Sequence, residues 1–396
     1  MSEFKTIMPS RILLPEGVDL QKWSCIACDQ HTSELEYWKN FEQFVGEEKS
    51  ALNLVLPEIY LGEEDERVKL INQNMVEYAN SGIFKEYEGY VLTVRTLLNG
   101  AKRVGIVISI KLDDYSYESD SDALIRATEE TVVERIPARV KIREGATLEL
   151  PHVMLLSNDT SYSYIDRLYD RRNSFQKIYD FDLYGNGGKI EGYFIPKEEN
   201  VAEMFQKSIK NGILFLVGDG NHSLASAKAV WEKRKAEGKG EDDLCAYAMV
   251  EVVDLNSNAL EFEPIHRLVK GVDVRDFCNG LSYMLGGNGV INVITSAFDR
   301  MIYAPANVPE CYDFVQAYID NYIAEKGGEV DYIHGLDVLR KRAEESPDAV
   351  GITMPALSKK ELFGLVGKYG SLPRKTFSMG EGDDKRYYLE ARKIKE

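Results

Sequence analysis

The chain has 396 residues, 44% hydrophobic and 29% charged, which is enough apolar material to bury a large core. Its 65 acidic side chains outnumber 48 basic ones, and the net charge of -17 opposes nonspecific attraction to nucleic acid or anionic membranes. No apolar run approaches the roughly 20 residues of a membrane span, and Met1 to Glu16 lacks the apolar core of a secretion signal. These features predict a cytoplasmic protein whose partner is a small molecule, with no nucleic acid and no membrane.

The N-terminal segment to about Asn53 reads as irregular. It contains Cys25-x-x-Cys28-x-x-His31, which could supply three zinc ligands or a redox pair, although no fourth ligand follows in a compact motif. Five cysteines in all, mostly far apart, suit a reduced compartment better than a disulfide framework. Asp29, flanked by aromatic residues, reads equally as a base or as a turn former.

Tyr90 to Leu98 and Val104 to Leu112 have strand composition, and Asn99-Gly100 between them predicts an antiparallel hairpin. Ser121 to Arg135 reads as a helix limited by Pro137, with Glu129, Glu130, Thr131 and Arg135 on a solvated, salt-bridged face. Pro151 to Ser157 resembles a strand, and Gln176 to Leu183 with Lys189 to Ile195 a second hairpin around Gly185-Asn186-Gly187-Gly188. A helix from Glu199 to Lys210 is expected to stop at Asn211-Gly212.

The most informative stretch comes next. The apolar run Ile213-Leu214-Phe215-Leu216-Val217 has strand length, and a helical pattern of Leu224, Ala227, Val230 and Trp231 follows Gly218-Asp219-Gly220-Asn221-His222-Ser223. A strand turning sharply into a helix leaves unpaired amide N–H groups at the helix start, ready for an anion. Asp219 adds a magnesium ligand or base, and His222 an imidazole donor or acid. The same residues also read as ordinary turn chemistry, with Asn221 as a simple N-cap. The pattern is neither a Walker loop nor a dinucleotide fingerprint.

Ala246 to Val253 supplies a further strand, followed by Glu263-Pro264-Ile265-His266-Arg267. Helical patterns recur at Cys311 to Ala324 and Leu336 to Ala343. Pro373-Arg374-Lys375-Thr376 sets a basic pair beside a hydroxyl, which suits either a phosphate or a solvated loop. His152 and His334 read as structural histidines.

Several of these segments resemble a bacterial family known as domain of unknown function 1015. Its Asp-Gly-His-His-Arg turn matches Asp219-Gly220-Asn221-His222-Ser223, its Pro-Thr-His-Arg segment matches Pro264-Ile265-His266-Arg267, and its late Pro-x-Lys-Ser/Thr segment matches Pro373-Arg374-Lys375-Thr376. The opening Trp23 to Gln30 and the closing Lys385-Arg386-Tyr387-Tyr388-Leu389-Glu390 match as well, so the resemblance runs over nearly the whole chain. It implies an α+β fold of multi-lobed mixed sheets with helices, containing a core similar to ParB partition proteins, sulfiredoxin and a free-serine kinase. Expected lobes are 1–160, 161–270 and 271–396.

By the same resemblance, the turn binds a nucleoside phosphate with Mg2+. Asp219, His222 and Arg267 are the expected catalytic residues, Asp219 also being the metal ligand. Gly218, Gly220, Asn221, Ser223, Lys375 and Thr376 are expected to hold the phosphate. Two positions depart from the family: Asn221 stands for histidine and Ser223 for arginine, which removes a bidentate phosphate clamp. Lys228, Arg267 and Lys375 are the cations available to replace it. The expected activity is phosphoryl transfer to a small polar metabolite, serine or phosphoserine by analogy, with a non-catalytic phosphate sensor as the rival.

Overall fold

The computed structural model describes residues 4–32, 34–60, 64–131, 136–159, 162–380 and 382–395. The chain divides into two compact units, Met1–Leu260 with Glu381–Glu396, and Glu261–Gly380. The expected boundary at residue 160 falls inside one sheet, where residues 89–96 pair with residues 189–196. The last sixteen residues group with the first unit rather than with a C-terminal lobe.

The first unit opens with β1 (Ile7–Met8), β2 (Ser10–Pro15), α1 (Leu20–Trp23), β3 (Cys25–Ile26) and α2 (Leu35–Val45), where an irregular segment was expected. Helix α2 buries Trp38, Phe41 and Val45 along one stripe but starts without a side-chain cap, so it lacks the usual start signal. After α3 (Glu64–Asn80) come β4 (Phe84–Thr96) and β5 (Lys102–Lys111), an antiparallel hairpin with Gly100 at φ 81°. This is the pairing that Asn99-Gly100 predicts.

Next are β6 (Tyr115–Ser116) and β7 (Ile125–Ala127). The helix expected from Ser121 to Arg135 is therefore corrected: Ile125 and Ala127 alternate into the core, and β7 pairs in parallel with residues 215–217. The salt-bridged helical face at Glu129, Glu130 and Thr131 goes with it, while Arg135 lies outside the described residues. Helix α4 (Ile136–Gly145) begins instead with Pro137 in its first turn, where a missing N–H removes no intrahelical bond.

The unit continues through β8 (Leu148–Glu149), β9 (Met154–Ser157), α5 (Tyr164–Asp170), β10 (Gln176–Asp182) and β11 (Lys189–Pro196). Strands β10 and β11 form the second expected hairpin. Helix α6 (Val201–Gln206) is shorter than expected, although Asn211 and Gly212 do take left-handed backbones at φ 53° and 77°. Then follow β12 (Phe215–Asp219), α7 (Asn221–Ala236) and β13 (Tyr247–Asp254).

These strands form an eleven-stranded mixed sheet in the order β10-β11-β4-β5-β13-β9-β12-β7-β6, with β1 on β5 and β2 on β4. Alternation along its central strands fills both faces. Val91, Val107 and Met249 join a core with Trp23, Trp38 and Phe41, while Leu92, Ile106, Ile108 and Val250 join one with Phe205, Leu224 and Trp231.

The second unit holds β14 (Phe262–Lys270), α8 (Val274–Met284), β15 (Gly289–Ile294), β16 (Asp299–Ala304), α9 (Val308–Lys326), β17 (Glu329–His334), α10 (Leu336–Glu344), β18 (Val350–Ile352), α11 (Lys359–Tyr369) and β19 (Phe377–Met379). Its sheet runs β16-β15-β18-β14-β17, with β19 on the other end of β14. The chain then returns to the first unit, where β20 (Tyr387–Tyr388) pairs with β3 and β21 (Arg392–Lys393) with β8. The fold is α+β with mixed sheets. Among the described residues no helix is long and apolar enough to cross a membrane.

Candidate functional site

Ile213 to Val217 are all buried, and β12 carries the chain through to Asp219. Gly220 turns it at φ 79°, and a Cβ there would sit 2.9 Å from Val153 Cα. Both the left-handed backbone and the close approach require glycine. Helix α7 starts at Asn221. The N-cap is thus Gly220, not Asn221, and it offers no side-chain acceptor; the first turn also contains no acidic residue. The positive end of a sixteen-residue helix is left without the usual internal compensation.

Asp219 Oδ1 accepts from Gly220 N at 2.9 Å, and its Oδ2 lies 3.4 Å from Lys385 Nζ. Asn221 holds neighbouring loops: Tyr115 donates to its Oδ1 at 3.3 Å, and its Nδ2 donates to Glu129 O at 3.2 Å and Thr131 Oγ1 at 2.8 Å. His222 is half-buried, and its carbonyl accepts from Ser226 Oγ at 2.7 Å. Lys228 is engaged with Leu112 O at 2.9 Å and Glu232 at 2.8 Å.

Ser223, on the first turn of α7, lines a cavity of about 420 Å³ with α4, Met75 of α3 and residues 148–153. One wall carries a hydrogen-bonded cluster drawn from distant segments. His152 Nδ1 lies 2.8 Å from Tyr388 Oη, which is 3.0 Å from Cys28 Sγ, and His152 Nε2 is 3.7 Å from Asp29 Oδ2. Arg139 pairs with Glu58 beside them. Burial raises the Asp29 carboxyl, but His152 and Arg139 outweigh it and hold the group well below the usual carboxylate range. Burial, reinforced by Asp29, pushes the Cys28 thiol up to about 12. Cys28 is accordingly a thiol rather than a nucleophile.

The segment bearing Lys385 and Tyr388 is fastened by a buried ionic network. Arg386, 4% exposed, donates to Glu251 Oε2 at 2.6 Å, Glu390 Oε2 at 2.7 Å and Pro151 O at 3.0 Å. Thr93 and Tyr179 donate to the remaining oxygens of Glu251 and Glu390. Arg95 and Arg103 reach the backbone carbonyls of residues 383–385.

In the second unit Arg267 is fully buried. Its Nε donates to Gln316 Oε1 at 2.9 Å, and its Nη1 to Ile265 O at 2.7 Å and Lys375 O at 3.0 Å. It therefore clamps the turn at Pro373–Thr376, where Lys375 has φ 59° and an exposed side chain. Thr376 is buried and donates to Pro373 O at 2.6 Å. His266 Nδ1 accepts from Met354 N at 3.0 Å, and burial, with Arg267 and His334, pushes its pKa down to about 4.

The cysteine motif does not assemble a metal centre. Cys25 is buried in β3, its thiol raised well above the usual value by burial and Cys28, while His31 stacks on Tyr37 at 3.8 Å and pairs with Glu34 and Asp383. Among the described residues no group of three or more His, Cys, Asp or Glu side chains could hold a metal ion. Sequence reasoning missed Lys385 beside Asp219, Arg139, and the roles of His152 and Tyr388. The signal for Lys385 and Tyr388 was the closing motif that contains both.

A family model described as "Protein of unknown function (DUF1015)" matches residues 7–393. A search of curated proteins gives no match. Similar solved structures include a free serine kinase in complex with AMP, 13% identical with a TM-score of 0.42 over 73% of this chain and 92% of that chain. A conserved hypothetical protein from Pyrococcus furiosus is 13% identical with a TM-score of 0.39 over 73% and 95%. SbnI with C-terminal truncation from Staphylococcus aureus is 12% identical with a TM-score of 0.39 over 69% and 82%.

Proposed function

We propose that this chain, which belongs to the DUF1015 family, binds a nucleoside phosphate at the head of α7 and transfers a phosphoryl group to a small polar metabolite. The observation that carries this reading is the uncapped start of α7 at a left-handed Gly220, with no acidic residue in the first turn. Such an end presents amide donors to an anion. Lys385, beside Asp219, adds a cation at the same turn.

Phosphoryl transfer needs charge neutralisation and in-line positioning more than a special nucleophile. Gly218, Gly220, Asn221 and Ser223 provide the cradle, and His222 donates to developing charge. Mg2+ takes one or two carboxylates and completes its shell with water and phosphate oxygens, so Asp219 fits as its protein ligand. The ion would neutralise charge on the transferred group. Within the second unit, Arg267 fastens the turn bearing Lys375 and Thr376 through the Lys375 carbonyl. Serine or phosphoserine is the substrate that the family resemblance suggests. Ser223, standing where the family has arginine, favours a second reading in which the protein senses the phosphate without turning it over.

A thermal-shift panel of nucleotides and phospho-metabolites, followed by transfer assays on the hits, tests both readings. A ligand that binds only the folded state raises the apparent melting temperature. Turnover selects the enzyme, binding without turnover selects the sensor, and an empty panel rejects both. Asp219→Asn should keep the fold and lower turnover roughly 100-fold, about 3 kcal/mol of transition-state stabilisation. If it melts the protein while leaving turnover intact, Asp219 serves the turn alone.

A further inference from the structure

The cavity beside α7 has a volume of about 420 Å³, and its walls are mainly aliphatic, including Leu54, Met75, Ile142, Leu148 and Leu224. A cavity of about 150 Å³ already accommodates benzene, so this one holds a larger apolar body. Its charges are matched internally. Among the described lining residues, Arg139 pairs with Glu58, Arg143 with Glu149, and His152 with the ionised Asp29. Glu149 holds Arg392 with its other oxygen.

None of these described charges is left for a ligand. An acid or an amine would either stay unpaired in the cavity or break one of the pairs, and both outcomes are costly. A hydroxyl meets no such penalty. Of the cradle residues Gly218, Gly220, Asn221 and Ser223, only Ser223 lines the cavity, and its hydroxyl can both donate to and accept from another. Tyr388 and Ser226 are already engaged, with His152 and with the His222 carbonyl. Ser223 therefore marks where a ligand hydroxyl meets the head of α7.

We propose that this cavity binds an uncharged alcohol with an apolar body, its hydroxyl at Ser223 and its body against the aliphatic walls, and that this alcohol is the phosphoryl acceptor. The acceptor role rests on the phosphoryl-transfer reading; the ligand class does not. In the transfer the alcohol oxygen bonds to the terminal phosphorus of the nucleoside phosphate. The bond from that phosphorus to its bridging oxygen breaks, its electron pair stays on the shortened nucleotide, and the alcohol proton passes to water. Free serine, which carries both an ammonium and a carboxylate, is disfavoured as the acceptor.

Calorimetric titration of the full chain with phenylbutanol, phenylbutyrate, phenylbutylamine and serine, without nucleotide, tests the ligand class. Phenylbutanol should bind at least about tenfold more tightly than the acid or the amine, as expected when a charge must be buried without a partner. Serine should give no heat of binding. Ala227→Phe, which fills the cavity from α7, should abolish binding of the alcohol while urea unfolding verifies the fold. If that variant does not fold, Met75→Trp fills the space from the α3 side. No binding of phenylbutanol at millimolar concentration, equal or tighter binding of either charged analogue, or undiminished binding in a folded cavity-filled variant would each overturn the ligand class.

Incubation of the alcohol complex with ATP or ADP, followed by phosphorus NMR, tests the role. Formation of the phosphate ester supports it, and a bound alcohol that stays unphosphorylated while ADP raises the melting temperature overturns it. If no nucleotide stabilises the protein, the phosphoryl-transfer reading fails and the acceptor role falls with it, whereas the ligand class stands on the calorimetry.

Discussion

The head of α7 and the cluster around Tyr388 border one cavity, yet they are specified in different ways. The first is contiguous: residues 218–223 carry the turn, its glycine and the helix start. The second draws Cys28 and Asp29 from the N-terminal segment, Arg139 from α4, His152 from the loop before β9 and Tyr388 from the chain end. Local backbone chemistry makes the turn, and paired buried charges hold the cluster. One should fail through strain and the other through unpaired charge.

The largest effect is expected at Arg386. Arg386→Ala strands the buried carboxylates of Glu251 and Glu390 and should cost about 3–5 kcal/mol in urea unfolding, as when one partner of a buried ion pair is removed. A loss within experimental error would mean that this network does not hold the tail. Gly220→Ala should cost less, about 1–3 kcal/mol for a strained left-handed residue, and should also abolish nucleotide-dependent thermal stabilisation because the amides behind it move. Full stability in that variant would contradict the requirement for glycine at φ 79°.

Acid should distinguish the two regions more gently. Burial raises the carboxyls of Glu149 and Glu251, but Arg392 and Arg143 on the first, and Arg386 and Arg103 on the second, lower them overall. A carboxyl with a depressed folded pKa contributes stability that is complete above the unfolded value, about 4.3 for glutamate, and is lost as pH falls towards the folded one. Unfolding free energy from this source should thus be flat above about pH 5 and decline below about pH 4. In Arg386→Ala the Glu251 part of that decline should shrink; an unchanged acid limb would remove Arg386 as its cause.

The same contrast explains what could be read from the sequence. Asn99-Gly100 and Gly185 to Gly188 announce their hairpins because a turn is encoded in the residues that make it. The helix after Gly220 was legible for the same reason, and so was the strand before it, although β12 runs from Phe215 to Asp219, two residues later than the apolar run Ile213 to Val217 suggests. The segment after Ser121 was not: its short strand is fixed by pairing with Phe215 to Val217, about ninety residues away, which overrides local helical preference. His152 read as structural because a histidine outside any motif is more often a structural residue than a ligand, and only the fold brings Tyr388 and Asp29 to its ring. Arg267 shows the reverse, since a motif drew attention to a side chain that is committed to two backbone carbonyls and Gln316.

The most direct test of the central claim is an amide NMR titration of the full chain with ADP, following residues 219–223 and Lys385. If the head of α7 receives phosphate, the amides of Asn221, His222 and Ser223 shift first and most, and the same titration of Gly220→Ala leaves them unmoved. Shifts centred elsewhere in the chain, with these three amides silent at saturating ADP, would contradict it.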